Sequence, residues 1–576
     1  MGAPKWWQKA VFYQIYPRSF VDSNGDGIGD LEGIRRRLDY LQDLGVDALW
    51  LCPHYPSPLV DWGYDVADYM DVAPEYGTLA DFRRLLDEAH RRNIRVILDL
   101  VLNHTSDQHP WFLESRASRE NPKRDWYIWR DGKDGGPPNN WYSIFGGSAW
   151  EYDPRTGQYY YHFFFKEQPD LNWRNPAVKR AMFDVVRFWL DMGVDGFRLD
   201  AVGTLFEDPG LPDQTAPMSY PEWLKAWHAA ADEAERARLL RIRQEMFRYQ
   251  EDLPEVHAVM RELRALVETY GDKVLVGETE DLAYYGNGDD ELHLVFNFPL
   301  MKAPRLTPAV VRANQRERLG AMPPGAWPCN TMGNHDFSRV LSRYGDGRHD
   351  LEIARIAAAL MLTLKGTPFL YYGEEIGMRD LLLTDLAQFK DPLGRWWYQV
   401  EREHFGTPHE EAVARAAAFG RDKCRTPMQW SRAPHAGFCP PEVSPWLPVH
   451  PNFAEGVNVA DQWEDPRSLL QFYRRLIHLR RRTPALVLGD YLPLAEEEEE
   501  ALLFLRRLPD DSQAILVAMN MGEGVARVAT GLEAHGRWLF STHRPEGGEG
   551  DLRVLTLAPF EISIAEVQAP PQGSSP

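Results

Sequence analysis

The sequence is poor in cysteine, which argues against several classes of small, cross-linked or metal-bound domain. Its 576 residues include four cysteines, at Cys52, Cys329, Cys424 and Cys439. They are too few and too scattered for a disulfide framework or a zinc ribbon. Only Cys424 and Cys439 lie close to each other in the sequence. We expect all four side chains to be free thiols.

Clusters of basic residues and long apolar runs are also missing. The formal net charge is -21 at pH 7, so nucleic acid and anionic membranes are not expected partners. No segment approaches the roughly 20 apolar residues that cross a bilayer, and residues 1–17 lack an apolar core of signal-peptide length. The first residues also lack the Ser or Thr of a myristoylation signal. We therefore expect a cytoplasmic protein.

What is present indicates a globular protein with more than one domain. Hydrophobic residues make up 44% of the chain and charged residues 26%, as in soluble globular proteins. A chain of 576 residues is too long for one ordinary hydrophobic core. A barrel with insertions and at least one smaller domain fits this length better than a single compact unit.

Strand-like apolar runs alternate with amphipathic helical runs over most of the chain. The run VFYQIYP at 11–17 is followed by a helical pattern and then by ALWLCP at 48–53, which is the spacing of a βα unit. The run from 94 to 104, IRVILDLVLNH, is nearly all apolar, as expected of a strand that is buried on both faces. Counting such runs gives eight strands, which predicts an α/β fold, a (β/α)8 TIM barrel.

Two segments depart from this alternation. At 105–171 a polar and aromatic excursion replaces the helix after the third strand, and we predict a small β-containing insertion there. At 491–570 short alternating runs predict a separate antiparallel β domain. The barrel would then comprise 1–104 and 172–490. The last residues, 571–576, are predicted to be a disordered tail.

Acidic side chains stand at the ends of three predicted strands. The buried run Gly196–Asp200 delivers Arg198 and Asp200 at its carboxyl end, which is where a barrel places its chemistry. Strand side chains alternate, so the two point the same way, and we expect the guanidinium to keep Asp200 ionised. Glu278 and Asp336 end the fifth and seventh strands. Folding alone would not favour three carboxylates at one barrel mouth, so their presence argues for chemistry.

The carboxylates suit a retaining glycosidase, in which two carboxyl groups lie about 5 to 5.5 Å apart. Asp200 would be the nucleophile. Glu278 has no adjacent cation in the sequence and would be the general acid and then the general base. Asp336 would bind sugar hydroxyls and favour an oxocarbenium-like transition state. On the five residues 196–200 alone, an Arg-Asp pair that only closes the barrel mouth explains the pattern equally well.

The loop after the first strand, DSNGDGIGDLEGI, has the oxygen-ligand spacing of a calcium loop. The candidate ligands are Asp22, Asn24, Asp26, the carbonyl of Ile28 and Asp30. Gly33 stands where an EF-hand needs a bidentate Glu, so the loop is not an EF-hand. We predict a structural Ca²⁺ or Mg²⁺ site, the alternative being an Asx-turn loop without an ion.

Five motifs in this order resemble those of the α-amylase superfamily, glycoside hydrolase family 13. They are DLVLNH at 99–104, QPDLN at 168–172, GFRLD at 196–200, GE at 277–278 and NHD at 334–336. The flanking QIYPRSF, GYDVADY and RTPMQW resemble the α-glucosidase, oligo-1,6-glucosidase and trehalose synthase branch. The resemblance covers almost the whole chain. It implies the same three carboxylate roles, a domain B in the insertion, a β-sandwich domain C at the end, and a metal loop like that of oligo-1,6-glucosidases.

The resemblance also implies a set of sugar-binding residues. They are Asp61, Tyr64, His104, Phe145, Phe165, Arg198, His335 and Arg425. His104 and His335 would hydrogen-bond the sugar on the non-reducing side of the cut, and Tyr64 would stack against it. The expected partner is a small-molecule α-glucoside.

A pocket closed at one end is part of the same expectation. Asp61 and an Arg of GRDKCRTPMQW would grip the terminal glucose, and we favour Arg425 over Arg421 for this role. Asp99 is expected to orient Arg198 or nearby loops. A pocket that admits one terminal unit predicts exo-action on short α-glucosides.

The residue after the expected nucleophile leaves the linkage preference open. Val is typical of α-1,6-specific members of this branch and Thr of α-1,4-specific ones, whereas this chain has Ala201. Ala also occurs in trehalose synthase-like sequences, but GETED around Glu278 looks less like that group. We expect a retaining exo-α-glucosidase that prefers α-1,4 linkages and forms a covalent β-glucosyl-enzyme, with transfer to acceptors other than water left open. The alternatives are an oligo-1,6-glucosidase and a trehalose synthase.

A non-enzymatic role is also conceivable, because heavy chains of amino-acid transporters share this architecture. Such chains would carry a membrane helix before the barrel, and several have lost catalytic carboxylates. This sequence starts directly at the first strand and keeps all three carboxylates, so we do not favour a binding-only protein. The sequence does not predict whether the protein is a monomer or a small homo-oligomer.

Overall fold

Parallel strands closed into a barrel form the centre of the computed structural model, which describes residues 3–568. Within that range the barrel strands are Phe12–Ile15, Ala48–Leu51, Arg95–Val101, Gly196–Asp200, Val274–Gly277, Leu294–Val295, Cys329–Thr331 and Thr367–Tyr371. A parallel bridge between Phe296 and Cys329 joins the sixth strand to the seventh and completes the ring. The predicted (β/α)8 fold is confirmed. The predicted tail, 571–576, lies outside the described residues.

The helix before the fourth strand shows how local sequence sets this architecture. Helix Pro176–Met192 begins at Asn175, whose side chain accepts a hydrogen bond from the backbone N–H of Ala177. Pro at the first helical position is pre-set for a helix start. The helix ends at Gly193, which has a φ of 109° and the left-handed conformation that glycine adopts without strain. The chain then turns directly into strand Gly196–Asp200.

Helices cover the outside of the barrel and build its excursions. They are Trp6–Lys9, Leu31–Arg36, Leu38–Leu44, Leu79–Arg91, Pro110–Ser115, Pro176–Met192, Tyr220–Ala229, Glu233–Phe247, Glu255–Glu268, Phe298–Met301, Pro308–Ala321, Val340–Tyr344, Asp350–Thr363, Pro392–Gln399, His409–Phe419, Val459–Glu464, Leu469–Arg482 and Pro484–Leu488. Among the described residues, none of these helices is both long and apolar enough to span a bilayer. The amphipathic tract near 222–250 forms two helices and not one, because Ala230 is extended and the side chain of Asp232 caps the second helix.

Excursions from three barrel loops pack together above the mouth. The insertion at 105–171 carries an antiparallel sheet of Trp129–Arg130, Trp150–Asp153 and Gln158–Tyr161. The indole N–H of Trp141 donates to the carbonyl of Pro212 at 2.7 Å, and the hydroxyl of Tyr220 donates to the carbonyl of Ile144 at 2.7 Å. These bonds tie the insertion to the excursion after the fourth strand. The aromatic cluster that they share includes Trp397, from the excursion after the eighth strand.

The C-terminal unit is antiparallel, as predicted. A larger sheet contains Asp490–Leu494, Ala501–Arg507, Ala514–Asn520, Ile562–Gln568, His535–Ser541 and Glu549–Asp551, and a smaller one pairs Ala526–Ala529 with Val554–Leu557. The run RVLTLAPFEISIAEV, which alternates like a single strand, splits between the two sheets. Phe560 lies at the break with a φ of 53°, a turn conformation that a continuous strand does not allow.

Candidate active site

Two of the three predicted carboxylates share one guanidinium at the barrel mouth. Asp200 is the last residue of the fourth strand, and Glu278 directly follows the fifth. A terminal nitrogen of Arg198 donates to Asp200 Oδ1 at 2.7 Å, and the other lies 2.9 Å from Glu278 Oε2. The two carboxylates are therefore neighbours across a single planar group.

Glu278 has no adjacent cation in the sequence, but the fold brings Arg198 beside it. The two strands are parallel neighbours, with Leu199 paired to Gly277, so Glu278 lies next to Asp200 in space. Strand register creates this neighbour, and adjacency along the chain does not reveal it. The same guanidinium serves both groups.

Asp99 anchors this guanidinium from behind, as predicted. Arg198 is 1% exposed and donates to Asp99 Oδ1 at 2.7 Å. The other oxygen of Asp99 accepts hydrogen bonds from the indole of Trp50 at 3.1 Å and from the hydroxyl of Tyr64 at 2.9 Å. Burial raises the pKa of Asp99 to about 6, although Arg198 acts in the opposite direction. Arg198 is thus held in one orientation by a buried, fully bonded partner.

The pKa of Asp200 departs from the simple expectation that Arg198 keeps this group ionised. Burial, followed by the neighbouring Glu278 carboxylate, raises the pKa of Asp200 well above its usual value, against the lowering effect of Arg198. The carboxylate of Glu278 thus opposes the ionisation of Asp200, and the guanidinium of Arg198 favours it.

Asp336 has the opposite electrostatic environment. Arg425 donates to its Oδ1 at 2.7 Å and also to the backbone carbonyl of His335 at 2.8 Å. Burial would raise the pKa of Asp336, but the guanidinium groups of Arg425 and Arg421 oppose burial, and the pKa lies below its usual range. This carboxylate is ionised throughout the neutral range.

The predicted pairing of Asp61 with Arg425 is wrong. Arg421 makes this ion pair, with its Nη2 donating to Asp61 Oδ1 at 2.7 Å. Arg425 is committed to Asp336 instead, and Arg421 Nη1 lies 3.7 Å from the same carboxylate. Both arginines belong to one short segment, and the carboxylates around them, which lie far away in the sequence, decide which of them reaches Asp61.

Asp61 continues into a chain of polar contacts with the insertion. Its Oδ2 accepts from Gln168 Nε2 at 2.9 Å, and that nitrogen lies 3.1 Å from His104 Nε2. His104 Nε2 also lies 3.0 Å from the backbone carbonyl of Tyr64. Burial lowers the pKa of His104 to about 4, so this imidazole is neutral at pH 7.

His335 and Tyr64 form a flat stacked pair. Their ring centroids are 5.2 Å apart with an interplanar angle of 9°. His335 Nδ1 lies 2.8 Å from Gln14 Nε2, and burial lowers the pKa of His335 well below its usual value. The second predicted histidine is therefore also neutral.

The two predicted phenylalanines lie at the same mouth. The ring centroids of Phe145 and Phe165 are 4.6 Å apart. The guanidinium of Arg421 lies 5.4 Å from the centroid of Phe145, within the range of a cation–π contact. Phe145 therefore adjoins the ion pair of Arg421 with Asp61.

Ala201 follows Asp200 in a left-handed conformation with a φ of 42°. Its backbone N–H donates to Glu278 Oε2 at 2.9 Å. A β-branched side chain is strongly disfavoured at such a φ, whereas Ala tolerates it at moderate cost. The backbone at this position thus helps to orient Glu278.

The predicted metal loop lies apart from these carboxylates, and its donor set suits a hard cation. Asp22 and Asp30 are buried, and no Lys, Arg or His within residues 3–568 forms an ion pair with either. Asp22 accepts from the N–H of Gly27 at 2.9 Å and Asp30 caps the following helix through Gly33 at 2.7 Å. Two buried carboxylates without a cationic side chain fit Ca²⁺ or Mg²⁺, which prefer oxygen ligands.

Two features of the structure were missed by the sequence analysis. Asp391 is buried and holds Arg421, but its DP dipeptide signals only a helix start. Asp346, His349 and Glu523 bring ligand atoms within 4.8 Å of one another at the surface. No sequence spacing could reveal this group, because Glu523 comes from the C-terminal unit.

Comparison with known proteins identifies the family. The family described as alpha amylase, catalytic domain, matches residues 14–489. The chain belongs to the α-amylase family, glycoside hydrolase family 13. The matched range includes every carboxylate of the mouth and excludes most of the C-terminal unit.

Relatives narrow the activity of this α-amylase-family protein. An oligo-1,6-glucosidase from Parageobacillus thermoglucosidasius is 38% identical over 98% of this chain and 99% of its own length. A probable α-glucosidase from Rhizobium meliloti (strain 1021) is 42% identical, over 90% of each chain. A solved variant of isomaltulose synthase from Erwinia rhapontici NX5, in complex with its natural substrate sucrose, has a TM-score of 0.86 and 36% identity, covering 99% of this chain and 100% of that chain. The protein is a glycoside hydrolase of the α-glucosidase type.

Proposed function

We propose that the protein is a retaining exo-α-glucosidase that releases α-glucose from the non-reducing end of short α-glucosides, with α-1,4 linkages preferred. The observation that carries this proposal is the position of Asp200 and Glu278 on the two terminal nitrogens of Arg198. Retaining enzymes need their two carboxyl groups about 5 to 5.5 Å apart, and a shared guanidinium supports such a spacing.

In the first step, Asp200 attacks the anomeric carbon of the terminal glucose. Arg198 engages Oδ1, so Oδ2 is the attacking atom. The bond from the anomeric carbon to the glycosidic oxygen breaks, and Glu278 transfers its proton to that oxygen. The products are the shortened sugar and a β-glucosyl ester on Asp200.

In the second step, water cleaves the ester. Glu278, now ionised, takes a proton from the water as its oxygen attacks the anomeric carbon from the face that the leaving sugar vacated. The ester bond breaks and Asp200 regains its negative charge. Two inversions yield glucose in the α configuration.

Asp336 and His335 would bind the hydroxyls of the reacting glucose. Asp336 stays ionised beside Arg425, so it can accept hydrogen bonds from sugar hydroxyls. His335 is neutral and offers its Nε2 as donor or acceptor. An ionised carboxylate near the ring also favours the positive charge of an oxocarbenium-like transition state.

Exo-action would follow from the ion pair between Asp61 and Arg421. Together with Phe145, this pair bounds one side of the site, where the non-reducing end of the sugar would lie. Arg421 therefore takes the role that the sequence analysis gave to Arg425. A pocket closed at this end admits one terminal glucose and excludes internal units of a long chain.

Product analysis tests the proposed function. The protein would be incubated with maltose, isomaltose, sucrose and trehalose, and the first glucose released would be assigned as α or β by NMR before mutarotation. We expect α-glucose from maltose at the highest rate. Release of β-glucose would contradict the retaining mechanism, and conversion of maltose mainly into trehalose would identify a trehalose synthase.

Oligo-1,6-glucosidase activity is the second candidate, because curated relatives with that name cover nearly the whole chain. Isomaltose distinguishes the two. A higher kcat/KM for isomaltose than for maltose would favour this second function. Rearrangement of sucrose without release of free glucose would instead favour an activity like that of the isomaltulose synthase.

We also propose that the loop at 22–30 binds Ca²⁺ or Mg²⁺ in a structural role, with the ligands Asp22, Asn24, Asp26, the carbonyl of Ile28 and Asp30. A bound cation would neutralise the buried carboxylates and hold the loop beside the first strand. Chelation should lower the unfolding midpoint by roughly 2 to 8 °C, and either ion should restore it.

Two variants locate this effect. Asp22→Asn should remove the response to chelator, while Asp346→Asn, in the exposed acidic group, should leave it unchanged. A response that is lost only with Asp346→Asn would place the ion at the other group, and no response in the wild type would leave the loop as an Asx-turn loop.

A further inference from the structure

Asp391 holds the arginine that pairs with Asp61. Arg421 donates to Asp391 Oδ1 through Nη2 at 2.7 Å and to Asp391 Oδ2 through Nε at 3.0 Å. The backbone N–H of Arg421 also donates to Oδ2, at 2.7 Å. Three nitrogens of Arg421 thus donate to the one carboxylate of Asp391, and one of them, Nη2, also donates to Asp61. Bidentate pairs of this kind set geometry as well as energy.

Asp391 is itself rigidly placed. It is fully buried, and its side chain caps helix Pro392–Gln399 by accepting from the N–H of Leu393 at 3.2 Å. Its own N–H donates to the carboxylate of Asp422 at 3.0 Å. Although burial opposes it, Arg421 lowers the pKa of Asp391 below its usual value, so the group is ionised. The position of the helix start therefore determines the position of Arg421.

The same helix contacts the loop of the insertion that carries Phe145. Trp396 lies so close to Gly146 that a Cβ there would be 2.1 Å from two atoms of the indole. Gly146 has a φ of 97° and directly follows Phe145, whose ring faces Arg421. The loop that presents Phe145 is thus packed on the helix that holds Arg421.

We propose that Asp391 is the positioning residue for Arg421, and that helix Pro392–Gln399 fixes the closed end of the sugar pocket. This inference rests on the proposed exo-glucosidase function and adds a residue to its specificity machinery. The excursion after the eighth strand would then set the exo preference without touching the sugar.

The substitution Asp391→Asn separates positioning from folding. Asn is as good a helix N-cap as Asp, so the helix start is retained. One carboxylate oxygen becomes an NH2 group. In place of Oδ1 it faces Arg421 Nη2 and the N–H of Leu393, and in place of Oδ2 it faces Nε and the backbone N–H of Arg421. In both orientations the ionic contact that fixes Arg421 is lost.

We expect Asp391→Asn to raise KM for maltose and Kd for glucose by roughly 10- to 100-fold, with kcat changed less than about 3-fold. Glucose affinity, measured by calorimetry, does not depend on turnover. Asp385→Asn is the matched control, because Asp385 caps a neighbouring turn through Ala387 at 2.9 Å and is exposed. It should behave as the wild type. A wild-type Kd in a folded Asp391→Asn protein would overturn the proposal.

A double-mutant cycle tests whether Asp391 acts through Asp61. If it does, Asp61→Asn combined with Asp391→Asn should bind glucose about as weakly as Asp61→Asn alone. Effects that multiply would show independent action and contradict the proposal. If Asp391→Asn does not fold, Arg421→Lys replaces it as the test variant, because Lys cannot make the bidentate contact with Asp391. Wild-type affinity for glucose in Arg421→Lys would also contradict the proposal. A wild type that cleaves none of the four disaccharides would instead refute the proposed function.

Discussion

Two pairs of carboxyls lie at the carboxyl ends of barrel strands, and their surroundings differ. Asp200 and Glu278 follow the fourth and fifth strands and share the guanidinium of Arg198. Glu374 and Glu375 follow the eighth strand, and neither forms an ion pair with a side chain of residues 3–568. The two pairs of carboxyl groups thus occupy similar positions in the barrel but have different neighbouring side chains.

The partners of the second pair are neutral hydroxyls. Tyr13 and Tyr40 each donate to Glu375 at 2.6 Å, and Tyr473 donates to Glu374 at 3.0 Å. Burial raises the pKa of Glu374 to about 7 and also raises that of Glu375. Packing among tyrosines makes this pair part of the scaffold.

Access completes the contrast. Glu278 keeps 25% of its side chain exposed at the mouth, whereas Glu375 is fully buried. Proton transfer to a substrate needs a carboxyl within hydrogen-bond reach of the reacting atom. A raised pKa alone therefore does not indicate a catalytic acid, and a cation beside an open carboxyl pair is the better sign.

The largest expected effect is on turnover at the first pair. Asp200→Asn removes the attacking oxygen, and kcat for maltose should fall by at least about 10⁴-fold. Glu374→Gln is the matched substitution in the second pair and should retain kcat within a few fold. Steady-state kinetics on both variants checks the contrast, and equal losses would refute the distinction between the pairs.

Glu278→Gln should have a smaller effect that depends on the leaving group. Without an acid to protonate the glycosidic oxygen, kcat for maltose should fall by about 10² to 10⁴-fold. Formation of the glucosyl ester from an aryl glucoside with an acidic phenol needs little protonation and should be slowed much less. Single-turnover release of the phenol measures this step. Equal loss on both substrates would show that Glu278 is not the acid.

The smallest effect is on stability and belongs to Glu374. Its folded pKa is raised, so between about pH 4.5 and 7 the folded state binds more protons and stability falls as pH rises. Glu374→Gln cannot titrate. The stability of the variant relative to wild type should therefore increase by about 1 to 3 kcal/mol from pH 4.5 to 8.

Urea unfolding at both pH values measures this change. Glu464→Gln, at an exposed position, is the control, and its stability relative to wild type should not change with pH. A difference between Glu374→Gln and wild type that does not vary with pH would mean that the tyrosine-bonded carboxyl is not protonated in the folded protein.

The sequence predicted the barrel well because each strand is a local apolar run with its own end signals. Asp200, Glu278 and Asp336 were found because they lie at or shortly after the ends of such runs. Contacts between strands were predicted less well: Arg198 reaches Glu278 through strand pairing, which the sequence near Glu278 does not show.

Choices between nearby residues failed for the same reason. Arg421 and Arg425 are four positions apart and chemically identical, so only the distant carboxylates Asp391 and Asp336 decide their partners. The run RVLTLAPFEISIAEV alternates throughout, and its division between two sheets depends on tertiary pairing. Local sequence patterns therefore predict helices and strands, whereas the side-chain contacts and strand pairings depend on residues far away in the sequence.

Three carboxyl groups, those of Asp99, Asp200 and Glu278, are gathered around the single guanidinium of Arg198. Such crowding opposes folding, so the nucleophile Asp200 lowers the free energy of unfolding. A relative that lacks this nucleophile should therefore unfold at a higher temperature than its active counterpart, so unusual heat resistance within the family is a sign of lost catalytic activity.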